Sequence, residues 1–250
     1  MERPLSGDHE LVLGGYGQVA KALRDGIHPD GKYKRPLRDV RLGHVVTKIS
    51  RPAGAAAAGG AKRGAVCKVY VKNQKKPIEA HVVLCTLPLG VLQHGDVAFE
   101  PKLPPFKQSA IDNLGMGTEN RVAMLFDPAD VFWPEDAHFL RPVRGRYTFA
   151  NLHALGLTGV LCAWVRAKHI EEVEAMTDVE AFEDVMSTLR SMFRERVVQP
   201  REYKVTRWSQ DPFSRGSYSY VPVGAFKVRI PYTGPPVSYT HLTLPTIYSV

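Results

Sequence analysis

The segment His81-Val-Val-Leu-Cys85, running into Thr86-Leu87-Pro88, constrains the fold more than any other in this 250-residue chain. A short apolar run bounded by turn signals suits a strand covered on both faces, as in a parallel sheet. Pro88 has no amide to give to a ladder and Gly90 loosens the backbone, so together they predict a turn at the carboxyl end of that strand. In open α/β sheets, ligands dock at that end. The expected class is α/β, or mixed α+β.

Other segments agree with a mixed fold. Val19, Ala22 and Leu23 have helical spacing, and Gly26 is a natural stop. Val45–Ile49 reads as a strand, Ala53–Gly64 as a flexible hairpin loop, and Val66–Val71 as the return strand. Pro101–Pro105 reads as an extended connector and Lys107–Leu114 as a helix ending at Gly115. Arg121–Phe126, Val160–Val165 and Tyr203–Arg207 read as strands. Thr177-Asp-Val-Glu180 is a capping box, in which the threonine hydroxyl takes a backbone N–H and the glutamate reaches back. The helix it opens carries an apolar stripe at Val179, Phe182, Val185, Met186, Leu189 and Met192 or Phe193, the pattern of a core face.

Charge and composition narrow the function by exclusion. Residues 1–80 hold 16 Lys/Arg against 7 Asp/Glu, whereas residues 81–250 hold 17 against 18. The basic charges are scattered among turns, with no arginine-rich helix and no interleaved aromatics, which argues against direct nucleic-acid binding. No apolar run approaches the roughly 18 residues of a membrane span. Cys67, Cys85 and Cys162 are few, odd in number and far apart, so a disulfide framework or zinc site is not expected. Free thiols point to a reducing, intracellular compartment, nuclear or cytoplasmic. The nine histidines show no HxxxH spacing, and there is no GxSxG or GxxxxGK[ST], so metal, triad and P-loop chemistries find no support.

Three segments carry chemistry together. They are Val83-Leu-Cys-Thr-Leu-Pro-Leu-Gly-Val-Leu92; Asn113-Leu-Gly-Met-Gly-Thr-Glu-Asn-Arg-Val122 with Val131-Phe-Trp-Pro134; and Arg207-Trp-Ser-Gln-Asp-Pro-Phe-Ser-Arg-Gly-Ser-Tyr-Ser-Tyr220. In order and spacing, over roughly residues 11–225, the chain resembles the flavin-containing amine oxidases, in particular the branch of lysine-specific histone demethylases and polyamine oxidases.

The resemblance implies FAD as cofactor and oxidation of an amine C–N bond. Hydride would pass from the amine carbon to the flavin, water would hydrolyse the resulting imine, and dioxygen would yield hydrogen peroxide. It implies that Thr86, Leu87 and Pro88 lie against the adenosine part of FAD. It places Trp208, Phe213 and Tyr218 near the flavin or the substrate channel, where aromatic walls keep the site dry and favour an approaching cation. Phe149, Asn151 and Ser217 are implied at the substrate cavity, and no metal is implied. Arg121 stands where most of the family has a lysine linked through water to the flavin, a change that is not conservative because arginine stays protonated and is bulkier.

Two parts of the family pattern are not matched. Gly14-Gly-Tyr-Gly17 is not the pyrophosphate-cradling GxGxxG, and no glycine-rich segment to cover the flavin follows residue 225. The expectation is a fragment of a two-domain oxidase: residues 1–117 as part of the FAD-binding domain and 118–228 as part of the substrate domain. Residues 229–250 read as a disordered, non-native tail, since Val237–Thr246 resembles a translated sequencing-adapter end. Alone, such a piece is expected to be poorly soluble and inactive. The substrate would be a polyamine or a methyl-lysine peptide, which admits chromatin proteins as partners. The rival expectation is a degenerate, non-catalytic oxidase kept as a protein-binding module.

Overall fold

The computed structural model describes residues 15–26, 36–51 and 66–223. In chain order its helices and strands are α1 (Gly17–Asp25), β1 (Val46–Ser50), β2 (Cys67–Val71), β3 (Ile78–Ala80), α2 (Leu89–His94), β4 (Ala98–Glu100), α3 (Pro105–Asn113), β5 (Gly115–Gly117) and β6 (Arg121–Leu125). They continue with β7 (Phe139–Leu140), β8 (Tyr147–Asn151), β9 (Val160–Val165), α4 (Ile170–Ala175), α5 (Asp178–Phe193), β10 (Glu202–Val205) and β11 (Tyr218–Tyr220). This is the mixed helix-and-sheet class expected. No helix among the described residues is long and apolar enough to cross a membrane.

The chain groups into two compact units. The first draws on Met1–Gly43, Ala123–Ala163 and Glu183–Lys204, the second on His44–Val122, Trp164–Phe182 and Val205–Val250.

In the first unit, most residues of a five-stranded sheet, in the order β10-β6-β9-β8-β7, form the frame. β7 and β8 run antiparallel, with Phe139 opposite Ala150 and Leu140 opposite Phe149. Met124, Phe126, Tyr147, Phe149 and Leu161 are buried. Phe126, Phe132 and Trp133 meet edge to face, and Phe132 also meets Phe193, the geometry that ring quadrupoles favour. Asp184 on α5 accepts from Arg146 and from the Tyr147 hydroxyl, which ties the helix to β8.

In the second unit, a four-stranded sheet has the order β3-β2-β1-β4. β1 and β2 form the expected antiparallel hairpin, while β4 joins β1 in parallel. Its loop, Ala53–Gly64, lies outside the described residues, as do Gly14 and everything after residue 223. The unit's core gathers Ile49, Cys85, Leu89, Val91, Leu92, Val97 and Ile111, with Val83, Leu87 and Met116 packed against it. β5 and β11 form a separate two-stranded ladder, Tyr218 opposite Gly117 and Tyr220 opposite Gly115.

Three local expectations are corrected. His81–Cys85 joins no ladder among the described residues; β3, just before it, pairs antiparallel with β2 at the edge of the four-stranded sheet instead. Its side chains alternate: Val82 is 82% and Leu84 62% exposed, while Cys85 is buried. An apolar run states what is to be covered but supplies no strand to bond it, and here only one face is covered. Pro88 does not lead into an open turn. It is the N-cap of α2, which Gly90 enters in helical conformation and which Gly95 ends in the left-handed region. On α5, Phe182, Val185, Met186 and Leu189 are buried as expected, but Val179 is exposed, because the first turn is held by its cap rather than by the core. That cap is the expected box: the Thr177 amide donates to Glu180 at 2.7 Å and the Glu180 amide to the threonine hydroxyl at 3.2 Å.

Candidate functional site

The second unit contains Thr86, Leu87, Pro88, Arg121, Trp208, Phe213, Ser217 and Tyr218. Leu87 faces inward against the core cluster at the entry to α2. The Cys85 thiol, also buried there, is pushed above its ordinary pKa by desolvation, opposed by a hydrogen bond with the Leu87 backbone. It is therefore a packed thiol rather than a nucleophile.

The aromatic residues behave differently. Trp208 is 43%, Phe213 63%, Tyr218 51% and Tyr220 50% exposed. Glycine shapes this surface. A Cβ on Gly117 would come within 2.5 Å of the Tyr218 ring, and one on Gly115 would collide with Tyr220. The two tyrosine rings thus lie flat over bare backbone, with their centroids 6.4 Å apart. Gly216, at φ +146°, turns the chain into this strand beneath Met116.

Ser217 fastens the ladder. Its hydroxyl accepts from the Glu119 amide at 2.7 Å and donates to the Glu119 carbonyl at 2.9 Å. Both lie in the chain's own backbone frame, so the geometry gives Ser217 a structural task. Arg121 opens β6 with its guanidinium half exposed, 2.7 Å from the Glu119 carboxylate and 4.8 Å over the Trp164 ring. Its amide donates to the Thr206 hydroxyl at 2.7 Å.

A polar network that the sequence reading missed sits beside Arg121. Asn120, only 1% exposed, donates from its amide nitrogen to Glu174 at 2.8 Å, and its carbonyl oxygen accepts from the Trp208 amide at 3.2 Å. The Ser209 hydroxyl donates to the same glutamate. Arg207 adds bonds to the Val173 carbonyl at 2.7 Å and to Asp178 at 3.1 Å. The segment that presents Trp208 is therefore pinned to α4 and to the start of β6. A lone Asn and a lone Glu carry no sequence signal.

Phe149 and Asn151 belong to the first unit, and both are fully buried. The Asn151 oxygen accepts from the Trp133 indole N–H at 2.9 Å, and its nitrogen donates to the carbonyls of Pro134, Glu135 and Ala137 at 3.1, 3.1 and 2.8 Å. With its polar atoms engaged, Asn151 holds the 133–137 turn. Among the described residues, no group of His, Cys, Asp or Glu is arranged to hold a metal ion.

The family of flavin containing amine oxidoreductases matches this chain over residues 4–244, a wider span than residues 11–225. Polyamine oxidase 4 of Oryza sativa subsp. japonica is 35% identical over 226 residues, covering 89% of this chain and 41% of that protein. A possible lysine-specific histone demethylase 1 of Drosophila melanogaster is 34% identical over 236 residues, covering 88% of this chain and 24% of its relative. A solved putrescine oxidase bound to putrescine superposes with a TM-score of 0.58 at 16% identity, over 77% of this chain and 40% of that one, which shows a shared fold. The chain spans about two fifths of the length of the plant polyamine oxidases it matches.

Proposed function

From the premise that this chain belongs to the flavin-containing amine oxidoreductase family, we propose that it supplies part of the FAD site and part of the substrate domain of an amine oxidase acting on a polyamine or a methylated lysine. The observation that carries this reading is the exposure of the Trp208, Phe213, Tyr218 and Tyr220 rings, the two tyrosines side by side, in the same unit as Thr86-Leu87-Pro88. A flat, largely apolar ring system is the ligand such a surface accommodates. Residues 1–117 are assigned to the FAD-binding domain and 118–228 to the substrate domain.

The residues fit one end of the cofactor better than the other. The exposed rings suit its flat parts, and the Thr86–Pro88 segment at the entry to α2 is the part of the chain assigned to its adenosine end. The glycine-bearing stretch that opens α1, Gly15-Tyr16-Gly17, does not have the GxGxxG spacing with which the family cradles the pyrophosphate. Bound flavin would supply the capacity to accept a hydride from an amine carbon. The chain's own contribution is to exclude water with Trp208 and Phe213, and to keep Trp208 in place through Asn120 and Glu174. Arg121 contributes a fixed positive charge, held by Glu119 and Trp164; it is not equipped to take a proton as a lysine is.

A second reading rests on Arg121 alone. With the family lysine replaced and the guanidinium already engaged by Glu119, the protein would be a degenerate oxidase retained for protein contacts. The two readings part on a single assay. Protein from the full open reading frame, incubated with spermine or with a dimethyl-lysine peptide, should release hydrogen peroxide, and Arg121→Lys should raise the rate. Flavin-loaded protein that releases none with either amine, before and after that substitution, supports the binding module. The three buried free cysteines favour a reducing compartment, nuclear or cytoplasmic.

A further inference from the structure

Helix α2 touches the 211–216 turn at both of its ends. At the entry, a Cβ on Gly90 would meet the carbonyl oxygens of Ser214 and Arg215 inside 3.0 Å, so the helix backbone lies directly on that turn. Just past the exit, the Arg215 guanidinium forks onto Asp96, with Nε 3.0 Å from one carboxylate oxygen and Nη2 3.2 Å from the other. His94, in the last turn of α2, places Nδ1 2.9 Å from the same carboxylate. The ion pair is about a quarter exposed on either side and joins residues 119 apart in sequence. Two-pronged, partly buried pairs of this kind hold orientation as well as distance.

The turn is also rigid in itself. The Phe213 amide donates to the Asp211 carboxylate at 2.7 Å, and the Arg215 amide donates to the Asp211 carbonyl at 2.8 Å. Arg215 sits at φ +56°, a left-handed conformation uncommon for a side-chain-bearing residue. What lies before α2 is Thr86-Leu87-Pro88; what lies on and after the turn is Phe213 and Tyr218. A six-residue helix gripped at both ends therefore fixes one of these segments against the other.

We propose that Gly90, Asp96 and Arg215 are positioning residues: they set the spacing between Thr86–Pro88 and Phe213–Tyr218, and through it the grip on flavin, without touching the cofactor. The proposal rests on the oxidase reading for its ligand and on the clamp geometry for its mechanism, and the two are tested separately. Asp96→Ala, Arg215→Ala and the double variant are made in protein from the full open reading frame. Flavin affinity is followed by fluorescence of released flavin, and amide exchange is followed at Gly216 and Ser217, which donate to the Trp208 and Gly117 carbonyls.

Each single variant should weaken flavin binding about tenfold and speed exchange at both amides about tenfold, and the double variant should be no worse than either single one. Gly90→Ala should do at least as much. Unchanged exchange and unchanged affinity in all the variants overturn the clamp. Faster exchange with unchanged affinity overturns its role in cofactor binding. If the unsubstituted protein binds no flavin, the oxidase reading and the link to flavin both fall, while exchange still decides whether the clamp spaces the two segments.

Discussion

Two groups of aromatic residues in this chain have opposite fates. In the first unit, Phe126, Phe132, Trp133 and Phe193 meet edge to face, and the indole N–H of Trp133 ends on Asn151. In the second, Trp208, Phe213, Tyr218 and Tyr220 are about half exposed or more, and two of them lie over glycine backbone. Residue type alone does not separate core from site. Whether a ring's faces are covered by its own chain does. The first group spends its rings on stability. The second leaves ring faces for something else to cover, a cost in exposed apolar surface that a ligand can offset.

That contrast can be broken experimentally. Trp133→Ala removes a buried ring and its hydrogen bond, and should lower unfolding free energy by about 3–5 kcal/mol in a denaturant titration; a loss under ~1 kcal/mol would place the first group outside the core. Asn151→Ala strands the indole N–H and three carbonyls and should cost about 2–3 kcal/mol by the same titration. Phe213→Ala and Trp208→Ala should change unfolding free energy by no more than ~0.5 kcal/mol, yet reduce flavin retention severalfold. Stability losses as large as those of Trp133 would erase the distinction.

The smallest effect is electrostatic. Hydrogen bonds from Arg215 and then His94 hold the Asp96 carboxyl below its ordinary value, against some desolvation. A depressed carboxyl pKa means that the contribution is present above the unfolded pKa and lost as pH falls through the folded one. The turn at 211–216 should therefore loosen only below about pH 4, seen as a shift of the Arg215 Nε–H resonance, while the buried Trp133 indole resonance stays in place. Loosening near neutrality would contradict the pairing.

What could be read without coordinates was local. The Thr177–Glu180 box and the 3.6-residue stripe of α5 involve residues three or four apart, so spacing reveals them. The β1–β2 hairpin followed from alternation. His81–Cys85 was misread as a covered strand because hydrophobicity says nothing about which strand completes a ladder. Gly90 reads as a turn residue until Arg215, far along the chain, shows why no side chain fits there. Asn120 and Glu174 were invisible for the same reason, since a buried polar pair is defined by its partners. Of the site itself, the aromatic residues were legible as one run along the chain, but their exposure was not.

The central claim is that these uncovered rings belong to a flavin site. It is tested most directly by purifying the protein of the full open reading frame and recording its visible absorption spectrum. The account requires flavin bands at close to one cofactor per chain, lost together with Trp208 and Phe213. Colourless protein that stays so after incubation with excess FAD would contradict it.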